Sequence, residues 1–504
     1  MEGQRRSGTP ETTSALAELR AIKALRSAIQ RRRVERSFEI AGFRYARPRL
    51  AARSVRRSTK YRCERMSMFR CCSVILVVLR VLLAWAGVAA TSSAQSFHEE
   101  HPPWSGGTEH ILVQPPQTPG SNQPLLVMFH GHYEDHWWDN PNHVGARNAL
   151  FAEAESRNWY AVTFDGGDAA EAWGTYGGVD LHPRAEAVID HMISSYGIDR
   201  DRIYGFGFSM GGGDVLNYAA RHLDRDGSGG MMAAVWSRSG TVSIREVWIG
   251  GGSNWRQYIQ GLLGVPRGPD ILPFPYAKAS VLHTQNAAPY YANDLCLAHN
   301  LAHIPVSVTK VAGDIAHVQW ATEVLEDFAL DMGYGFDFDL DLLGGHNEWV
   351  GFSAFDVCDY LDDGDLANYP SSAQKTVAAT EGRYFHFAVQ RTDPDWVAPF
   401  QWAVVTSQNR VNVLQASNLM SIMALLLDMG LNPAVAVNLT VQVTNGCDVV
   451  LDGYTTKPSV VAANWGGPLW LIIDEGAGWT WDGANGRVIL DQNSSSTTNW
   501  RVTP

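Results

Sequence analysis

The sequence predicts an α/β fold with a mostly parallel sheet flanked by helices, followed by a smaller, mostly β, sandwich-like C-terminal domain. Three observations predict it. Apolar runs of strand length alternate with segments of helical spacing from about Glu109, this alternation stops near Leu361, and short strand-like runs then take over. Strands and helices that alternate at this spacing form parallel sheets with crossover helices. At 504 residues the chain is long enough for two folded domains.

The first strand-like runs are EHILVQ, PLLVMFHG and WYAVTF, and a helical segment, HVGARNALFAEAESRN, separates the last two. A second helix is predicted in HPRAEAVIDHMISSYG, with Pro183 in its first turn and Gly197 at its end. The strands DRIYGFGF, MMAAVWSRSG, IPVSVTKVAGD and FDFDLDLLGGH follow, and a final helix ends near Leu361. We therefore predict a catalytic-type α/β domain over residues 95–361.

Residues 241–300 interrupt this alternation and predict an insertion that would act as a lid. The insertion contains seven aromatic residues: Trp248, Trp255, Tyr258, Phe274, Tyr276, Tyr290 and Tyr291. These side chains either shape a substrate pocket or pack the insertion onto the sheet. Loops on this side of such sheets often carry function, so both alternatives stay open.

Residues 362–504 predict a β-rich accessory domain made of short strands. Asn445-Gly446 between two of them is typical of a tight hairpin turn. The tryptophans of this region are Trp396, Trp402, Trp465, Trp470, Trp479, Trp481 and Trp500. Core packing is the favoured role for them, and stacking on sugars is the alternative.

Charge is divided unevenly along the chain. Residues 1–94 contain 20 of the 40 Lys and Arg residues but only 6 of the 52 Asp and Glu residues. The remainder is therefore strongly acidic and would repel nucleic acid and anionic membranes. We expect no nucleic-acid partner.

The segment that begins near Met66 has the order of a secretory signal: a short basic start, an apolar stretch over residues 74–90, and small residues with a cleavage point at Ala94. We expect translation to begin at Met66 or Met68 and the product to be secreted or periplasmic. Residues 1–94 would thus be a basic extension plus a signal peptide. A membrane anchor is the alternative, but Arg80 interrupts a run shorter than the ~20 residues that a span needs, so we expect no stable anchor.

Neither the cysteines nor the histidines have metal-binding spacing. The cysteines beyond the leader are Cys296, Cys358 and Cys447, an odd number that allows one disulfide. Four histidines lie close together in the sequence: His130, His132, His136 and His143. Their spacing matches no common zinc signature. We predict no metal and no cofactor.

The stretch GFGFSMGGGD predicts a nucleophilic serine. Gly207 and Gly211 flank Ser209 in the pattern G-x-S-x-G, after a strand and before a helix. A strand that turns directly into a helix brings the neighbours of the serine so close to the adjoining backbone that only small residues fit. The turn would expose the Ser209 hydroxyl, with the Met210 amide beside the position of an oxyanion.

A serine nucleophile needs a base and a carboxylate that orients the base. His346 is the favoured base because it follows the last strand on a glycine-rich loop; His303, His317 and His386 lack that context. Asp314 is the favoured acid because it follows the penultimate strand, whereas Asp327 and Asp331 fall inside a helix. A helix-capping role for Asp314 is the alternative.

A second oxyanion donor is expected after an earlier strand. PLLVMFHGHYEDHWWDN places His132 just beyond such a strand, and its backbone amide is the candidate.

With these motifs assembled, the chain resembles the α/β-hydrolase superfamily, and within it secreted esterases similar to polyhydroxybutyrate depolymerases and feruloyl esterases. The resemblance extends over about residues 109–361 and includes LLVMFHG, IDRDRIYGFGFSMGGG, APYYANDLCLAHNLAHIPVSVTKVAGD and GGH. It implies that Ser209 is the nucleophile, His346 the base and Asp314 its partner, with the amides of His132 and Met210 as the oxyanion hole. The chain departs from the family in placing the acid directly after Gly313.

The leading hypothesis is therefore a secreted carboxylic-ester hydrolase, a serine esterase that acts on a small-molecule or polymeric ester. One alternative is a serine peptidase of the prolyl-oligopeptidase type, which shares the catalytic fold but usually has a large β-propeller. The other is a non-catalytic carbohydrate- or surface-binding protein on a hydrolase scaffold. The sequence leaves the oligomeric state open.

Overall fold

The structure is a computed structural model that describes residues 97–166, 175–178, 180–366, 370–443, 446–466, 469–492 and 497–504. The chain divides into two compact units, Met1–Thr91 and Ser92–Pro504, and the described residues all belong to the second. The predicted signal segment and Asn445 of the predicted hairpin lie outside the described residues.

Ten strands and eight helices make up the first part of the described unit. The strands are β1 (His98–Glu100), β2 (Pro103–Trp104), β3 (Gly107–Thr108), β4 (Ile111–Gln114), β5 (Gln123–Phe129), β6 (Tyr160–Phe164), β7 (Ile198–Phe208), β8 (Ala234–Arg238), β9 (Val306–Gly313) and β10 (Asp337–Gly345). The helices are α1 (Val144–Ser156), α2 (Leu181–Tyr196), α3 (Met210–Arg221), α4 (Ile244–Gly250), α5 (Ser253–Leu262), α6 (Pro273–Lys278), α7 (Ala316–Met332) and α8 (Ala354–Asp362).

Eight of the strands form one sheet in the order β1-β4-β6-β5-β7-β8-β9-β10. β4 pairs antiparallel with both β1 and β6, and every other neighbouring pair in the sheet is parallel. β4, β5 and β6 are buried almost without interruption, as expected where helices cover both faces. The predicted α/β class with a mostly parallel sheet is confirmed.

The crossover helix α2 begins and ends where its sequence predicts. Pro183 lies in the first turn, where its missing amide proton is not needed. Gly197 follows the helix in the left-handed conformation, with φ of 63°, and its amide donates to the Ile193 carbonyl. The chain can therefore turn directly into β7, whose far end carries Ser209.

The insertion over residues 241–300 is helical and forms a hydrophobic cluster of its own. α4, α5 and α6 lie within it, and two short 3₁₀ helices, Asn293–Leu295 and Leu297–Leu301, close it. Its buried apolar side chains Ile244, Val247, Ile259 and Tyr276 pack with Met210, the residue after the predicted nucleophile. The insertion is thus built against the candidate site.

Residues 372–503 contain thirteen strands. They are β11 (Ser372–Ala378), β12 (Gly382–Tyr384), β13 (Phe387–Arg391), β14 (Ala398–Val405), β15 (Arg410–Ala416), β16 (Leu419–Leu425), β17 (Val437–Val443), β18 (Cys447–Asp452), β19 (Val460–Asn464), β20 (Leu471–Ile472), β21 (Trp479–Asp482), β22 (Arg487–Gln492) and β23 (Thr498–Thr503). Seven form a sheet in the order β11-β14-β15-β17-β23-β19-β20, and six form another in the order β12-β13-β16-β18-β22-β21.

These two sheets face each other like the halves of a sandwich. Buried and less buried residues alternate along strands such as β14 and β17, so each strand has one inward face. Phe387 of one sheet lies 5.9 Å from Phe400 and 5.4 Å from Trp402 of the other, between ring centroids. The predicted β-rich C-terminal part is confirmed. Its tryptophans divide: Trp402, Trp479 and Trp500 are buried, whereas Trp396, Trp465 and Trp470 are exposed.

Asn300 joins the two parts of this unit. Its side-chain amide donates to the Ala220 carbonyl at the end of α3 (2.7 Å) and to the Val377 carbonyl in β11 (2.9 Å). Its side-chain oxygen accepts from the Val377 amide at 2.8 Å. Asn300 is 1% exposed, so these bonds form away from water. The boundary at residue 361 stays a prediction.

Cys296, Cys358 and Cys447 are all buried free thiols, so the disulfide that the sequence allows is not formed. Across the described residues, no helix combines the length and the apolar character needed to cross a membrane.

Candidate active site

Ser209 occupies a strained turn between β7 and α3. Its φ of 55° and ψ of −117° are rare for a residue with a side chain and are tolerated where the surroundings enforce them. A Cβ on Gly207 would lie 2.0 Å from the Gly211 carbonyl oxygen, and one on Gly211 would lie 2.2 Å from the Phe129 carbonyl oxygen. The backbone thus closes around the serine as the glycine pattern predicts, and no larger residue fits at either flank.

Three predicted site residues form one continuous hydrogen-bonded chain. Ser209 Oγ lies 2.7 Å from His346 Nε2, and His346 Nδ1 lies 2.5 Å from Asp314 Oδ1. With the proton on Nδ1, His346 donates to Asp314 and accepts from the serine hydroxyl. The Asp314 side chain is 2% exposed and that of His346 is 15% exposed. This geometry can transfer a proton from the serine to the imidazole.

The sheet brings these residues together because each follows a strand that runs in the same direction. Ser209 follows β7, Asp314 follows β9, and His346 follows β10. β9 and β10 are direct neighbours in parallel register. The carboxyl ends of parallel strands lie at one edge, where side chains from distant segments meet.

Asp314 stands directly beyond Gly313, the last residue of β9. Besides the imidazole, its Oδ1 accepts from the Ile315 amide at 2.7 Å. The competing residues Asp327 and Asp331 lie inside α7, as the sequence predicts.

The other candidate histidines have different partners. His303 packs edge-on against Phe385, with 4.9 Å between ring centroids, and His386 Nε2 lies 3.2 Å from the Pro370 carbonyl oxygen. His317 is near the site, where burial lowers its pKa. Of these four histidines, His346 is the one hydrogen-bonded to Ser209.

The first turn of α3 and the loop after β5 form the expected position of an oxyanion. Met210 is the first residue of α3, and an amide there has no acceptor within its own helix. The Gly211 amide donates to the His130 carbonyl at 3.0 Å, which joins this turn to the loop that carries His132. The structure therefore places both predicted donors on adjoining segments, and their role stays a prediction.

Glu134 organises that loop, and sequence reasoning missed it. Its Oε2 accepts from the Gly131 amide at 2.9 Å, and its Oε1 lies 2.5 Å from His143 Nδ1. The Glu134 side chain is 1% exposed. His130 is held separately, with its two ring nitrogens against the carbonyls of Gly131 and Asp165. These two histidines therefore position the loop. A histidine nine residues after Glu134 was the available signal.

Arg238 supports the site from the end of β8, and sequence reasoning missed it as well. Its carbonyl accepts from the Ser209 amide at 2.9 Å. Its guanidinium donates to Asp341 (2.9 Å) and to the Glu348 carbonyl (3.1 Å), and it lies 5.1 Å from the Trp349 ring centroid. Arg238 thus ties the serine turn to both sides of the loop that holds His346.

Tyr176, Trp255 and Tyr258 form an aromatic wall beside the oxyanion region. The His132 ring lies 4.8 Å from Trp255, 5.4 Å from Tyr176 and 6.2 Å from Tyr258, between centroids. Trp255 and Tyr258 belong to α5 of the insertion. These rings therefore pack the insertion against the loop of His132, and a role for them in a substrate pocket stays a prediction.

A buried carboxyl, Asp214, holds one end of this wall. It accepts from Thr175 Oγ1 at 2.5 Å and from the Gly177 amide at 2.6 Å, on either side of Tyr176. Burial raises its pKa to about 7, and the hydrogen bonds offset only part of that shift.

Comparison with known proteins gives distant relatives. No family model matches the chain. A bifunctional acetylxylan esterase/xylanase from Neocallimastix patriciarum is 33% identical over 107 residues, which cover 21% of this chain and 15% of that protein. The chain thus spans only a small part of the length of this curated relative.

Among solved structures, a ferulic acid esterase is 18% identical with a TM-score of 0.39, covering 53% of this chain and 96% of its own. A Pyrobaculum calidifontis esterase is 15% identical with a TM-score of 0.38, and the match covers 53% of this chain and 84% of the esterase. An acetyl xylan esterase from Paenibacillus sp. R4 is 13% identical with a TM-score of 0.37, and the match covers 55% of this chain and 86% of that protein.

The fold itself is recognisable from this chain alone. Eight strands follow the order given above, and only the second of them runs against its neighbours. The serine turn follows the central strand β7, where the G-x-S-x-G elbow is characteristic. This chain has the fold of the α/β-hydrolases.

Proposed function

We propose that this chain is a secreted or periplasmic serine hydrolase that cleaves carboxylic esters through an acyl-enzyme on Ser209. The observation that carries the proposal is the hydrogen-bonded chain from Ser209 through His346 to Asp314, built onto a strained turn. Strain at a position with a nucleophilic side chain is typical of active sites.

In the acylation step, Ser209 Oγ attacks the ester carbonyl carbon while His346 Nε2 takes the hydroxyl proton. The carbonyl oxygen becomes negatively charged, and the amides of Met210 and His132 would hold it. His346 then gives its proton to the departing alcohol oxygen, and the carbon–oxygen bond breaks. Asp314 keeps Nδ1 protonated and stabilises the imidazolium that forms between these steps.

In the deacylation step, water attacks the acyl carbon and His346 accepts one of its protons. The second tetrahedral intermediate collapses, His346 returns the proton to Ser209, and the carboxylic acid leaves. The cycle uses no cofactor.

The substrate is proposed as a small or polymeric ester with an apolar or aromatic portion against the wall formed by Tyr176, Trp255 and Tyr258. The short match to an acetylxylan esterase makes acetylated xylan one candidate polymer. Esters of aromatic acids are the other class to include.

The test is fluorophosphonate labelling with peptide mass mapping, together with hydrolysis of p-nitrophenyl esters. We expect the label on Ser209 and a loss of about 10⁴-fold or more in kcat for Ser209→Ala and His346→Ala. Asp314→Asn should lose less than His346→Ala, because the carboxylate orients the base and carries no proton itself. Ser253→Ala, at an exposed serine in α5, is the matched control and should keep the parent rate.

Label on another serine, or a Ser209→Ala enzyme with parent activity, would contradict the mechanism. Proline-containing peptide anilides, assayed in parallel, separate an esterase from a peptidase. For the export part of the proposal, N-terminal sequencing of extracellular protein should begin near Thr91 or Gln95, and an intact leader there would exclude it.

A further inference from the structure

A cluster of two histidines and a glutamate lies at the edge of the parallel sheet, outside the serine site. Glu99 lies in β1, His110 directly precedes β4, and His136 lies in the loop between β5 and α1. His136 Nε2 is 3.2 Å from Glu99 Oε1, and His110 Nδ1 is 3.5 Å from the same oxygen. The potential ligand atoms of all three residues lie within 4.8 Å of one another.

These separations fit a tetrahedral metal ion. Zinc binds nitrogen and carboxylate oxygen at about 2.0–2.2 Å, so two neighbouring ligand atoms on a tetrahedral ion are about 3.3 Å apart. The two distances to the Glu99 oxygen lie on either side of that value. The remaining gap between the two imidazoles can close by rotation of His110, whose side chain is 48% exposed.

One ligand is already fixed in place. The His136 side chain is 9% exposed, and its backbone carbonyl accepts from the Thr163 hydroxyl in β6. Its ring therefore has little freedom, while the other two residues lie at the surface and can adjust to an ion. A site with one rigid and two adjustable ligands can form without rearranging the sheet.

The donor set indicates which ion would bind. Two imidazoles and a carboxylate suit zinc and similar divalent transition metals, whereas calcium prefers six to eight oxygens. The His101 ring centroid lies 4.6 Å from that of His110, so His101 is a candidate for the fourth ligand, which water can also supply.

The neighbouring Glu100 provides an internal contrast. It also contacts two histidines, but through different oxygens. His98 Nε2 is 2.7 Å from Glu100 Oε1, and His191 Nε2 is 2.6 Å from Glu100 Oε2. Tyr196 donates to Oε1 as well. Here the imidazoles are on opposite oxygens, so they do not converge on a common point. The same residue types one position along the strand thus form a hydrogen-bonded cluster whose imidazoles do not face a common point.

We propose that Glu99, His110 and His136 bind one divalent transition-metal ion of the zinc class, with His101 or water as the fourth ligand. The ion would join β1 and the start of β4 to the loop that carries His132. This proposal does not depend on the esterase activity. Spacing in the sequence hides the site, because Glu99 is 11 residues from His110 and 37 from His136.

The test uses untagged protein spanning residues 95–504, stripped with EDTA and titrated with Zn²⁺ by calorimetry. Bound metal is counted by mass spectrometry after dialysis. We expect about one zinc per chain, a higher thermal midpoint with zinc, and a four-coordinate visible spectrum when Co²⁺ replaces it. Retention of far less than one zinc ion per chain would overturn the proposal.

Variants locate the ion. His110→Ala removes an exposed ligand and should leave folding intact. A weaker zinc affinity in this variant therefore reports the loss of a ligand and not unfolding. We expect it, and Glu99→Gln, to weaken zinc binding by at least ~10-fold, since even outer partners of metal ligands contribute that much. His191→Ala, in the neighbouring cluster, should bind zinc like the parent. Parent-like binding by His110→Ala, or equal loss in His191→Ala, contradicts the assignment.

Discussion

The parallel sheet and the two C-terminal sheets differ in how the ends of successive strands are arranged. In the parallel sheet, β5, β7, β9 and β10 run in the same direction, so the loops with His132, Ser209, Asp314 and His346 follow the same edge. In the C-terminal sheets most neighbours are antiparallel, so successive strand ends point to opposite sides. A site assembled from many segments is thus expected on the parallel edge, and the sandwich contributes packed faces instead.

Apart from changes to Ser209, His346 and Asp314 themselves, the largest effect should come from closing the space at the serine turn. Gly211→Ala would place a methyl group 2.2 Å from the Phe129 carbonyl and 2.4 Å from the His130 carbonyl, both backbone atoms. The loop with His132 must then move away from α3. We expect kcat to fall by roughly 10²–10³-fold, as when one oxyanion donor is lost.

Gly345→Ala is the matched control, because its Cβ would meet only the Gly313 carbonyl at an ordinary 3.6 Å. It lies next to His346 on the same edge and should keep near-parent kcat. Equal loss in both variants would mean that any change at this edge is harmful, and would refute the specific role of the turn. Circular dichroism verifies that both variants are folded.

A smaller loss is expected from Arg238→Met. Arg238 touches neither the nucleophile hydroxyl nor the imidazole, but it connects the serine turn to the loop of His346. We expect kcat to fall by about 10–10²-fold with little change in KM, because a misplaced base slows chemistry more than binding. Arg238→Lys, which keeps a cation beside Asp341, should recover part of the rate; an unchanged kcat in Arg238→Met would exclude the positioning role.

Asp214 should make stability depend on pH. Its folded-state pKa of about 7 lies above its ordinary value of 3.8, so its contribution is fully present below pH 4 and is lost as pH rises through 7. The parent's free energy of unfolding should therefore fall by up to about 4 kcal/mol over that window from this group.

Urea unfolding at several pH values measures this dependence. Asp214→Asn, which cannot ionise, should have a flatter profile, whereas Asp226→Asn at an exposed position should keep the parent profile. A parent-like slope in Asp214→Asn would show that other groups cause the dependence.

The smallest effect on catalysis is expected where the two parts meet. Asn300→Ala leaves the buried backbone groups of Ala220 and Val377 without their bonds and should lower the free energy of unfolding by roughly 3 kcal/mol. At a temperature where the variant is folded, kcat should stay near the parent value. Lys375→Gln at the same junction removes an ion pair with the exposed Asp294 and a hydrogen bond to the Asn293 carbonyl, both at the surface, and should cost under about 1 kcal/mol. A large fall in kcat for Asn300→Ala would mean that the sandwich supports the site.

Local chemistry explains what could be predicted from the sequence. Alternating apolar runs predict buried parallel strands, and Gly207 and Gly211 predict a turn too tight for side chains. Ser209, Asp314 and His346 each follow a strand, so their meeting at one edge follows from strand direction alone. The positions of His132 and Met210 follow from the same reasoning.

Contacts between distant segments were decided by the tertiary structure alone. Glu134 with His143, and Arg238 with Asp341, depend on which loops pack side by side, and no periodicity encodes that. His136 is the clearest case. In the sequence it lies among other histidines that have no metal-binding spacing, but folding gives His130 and His143 other partners and places His136 against Glu99 of β1. A strand pattern determines which face a residue occupies, whereas the partner that it meets there depends on how the whole sheet is ordered.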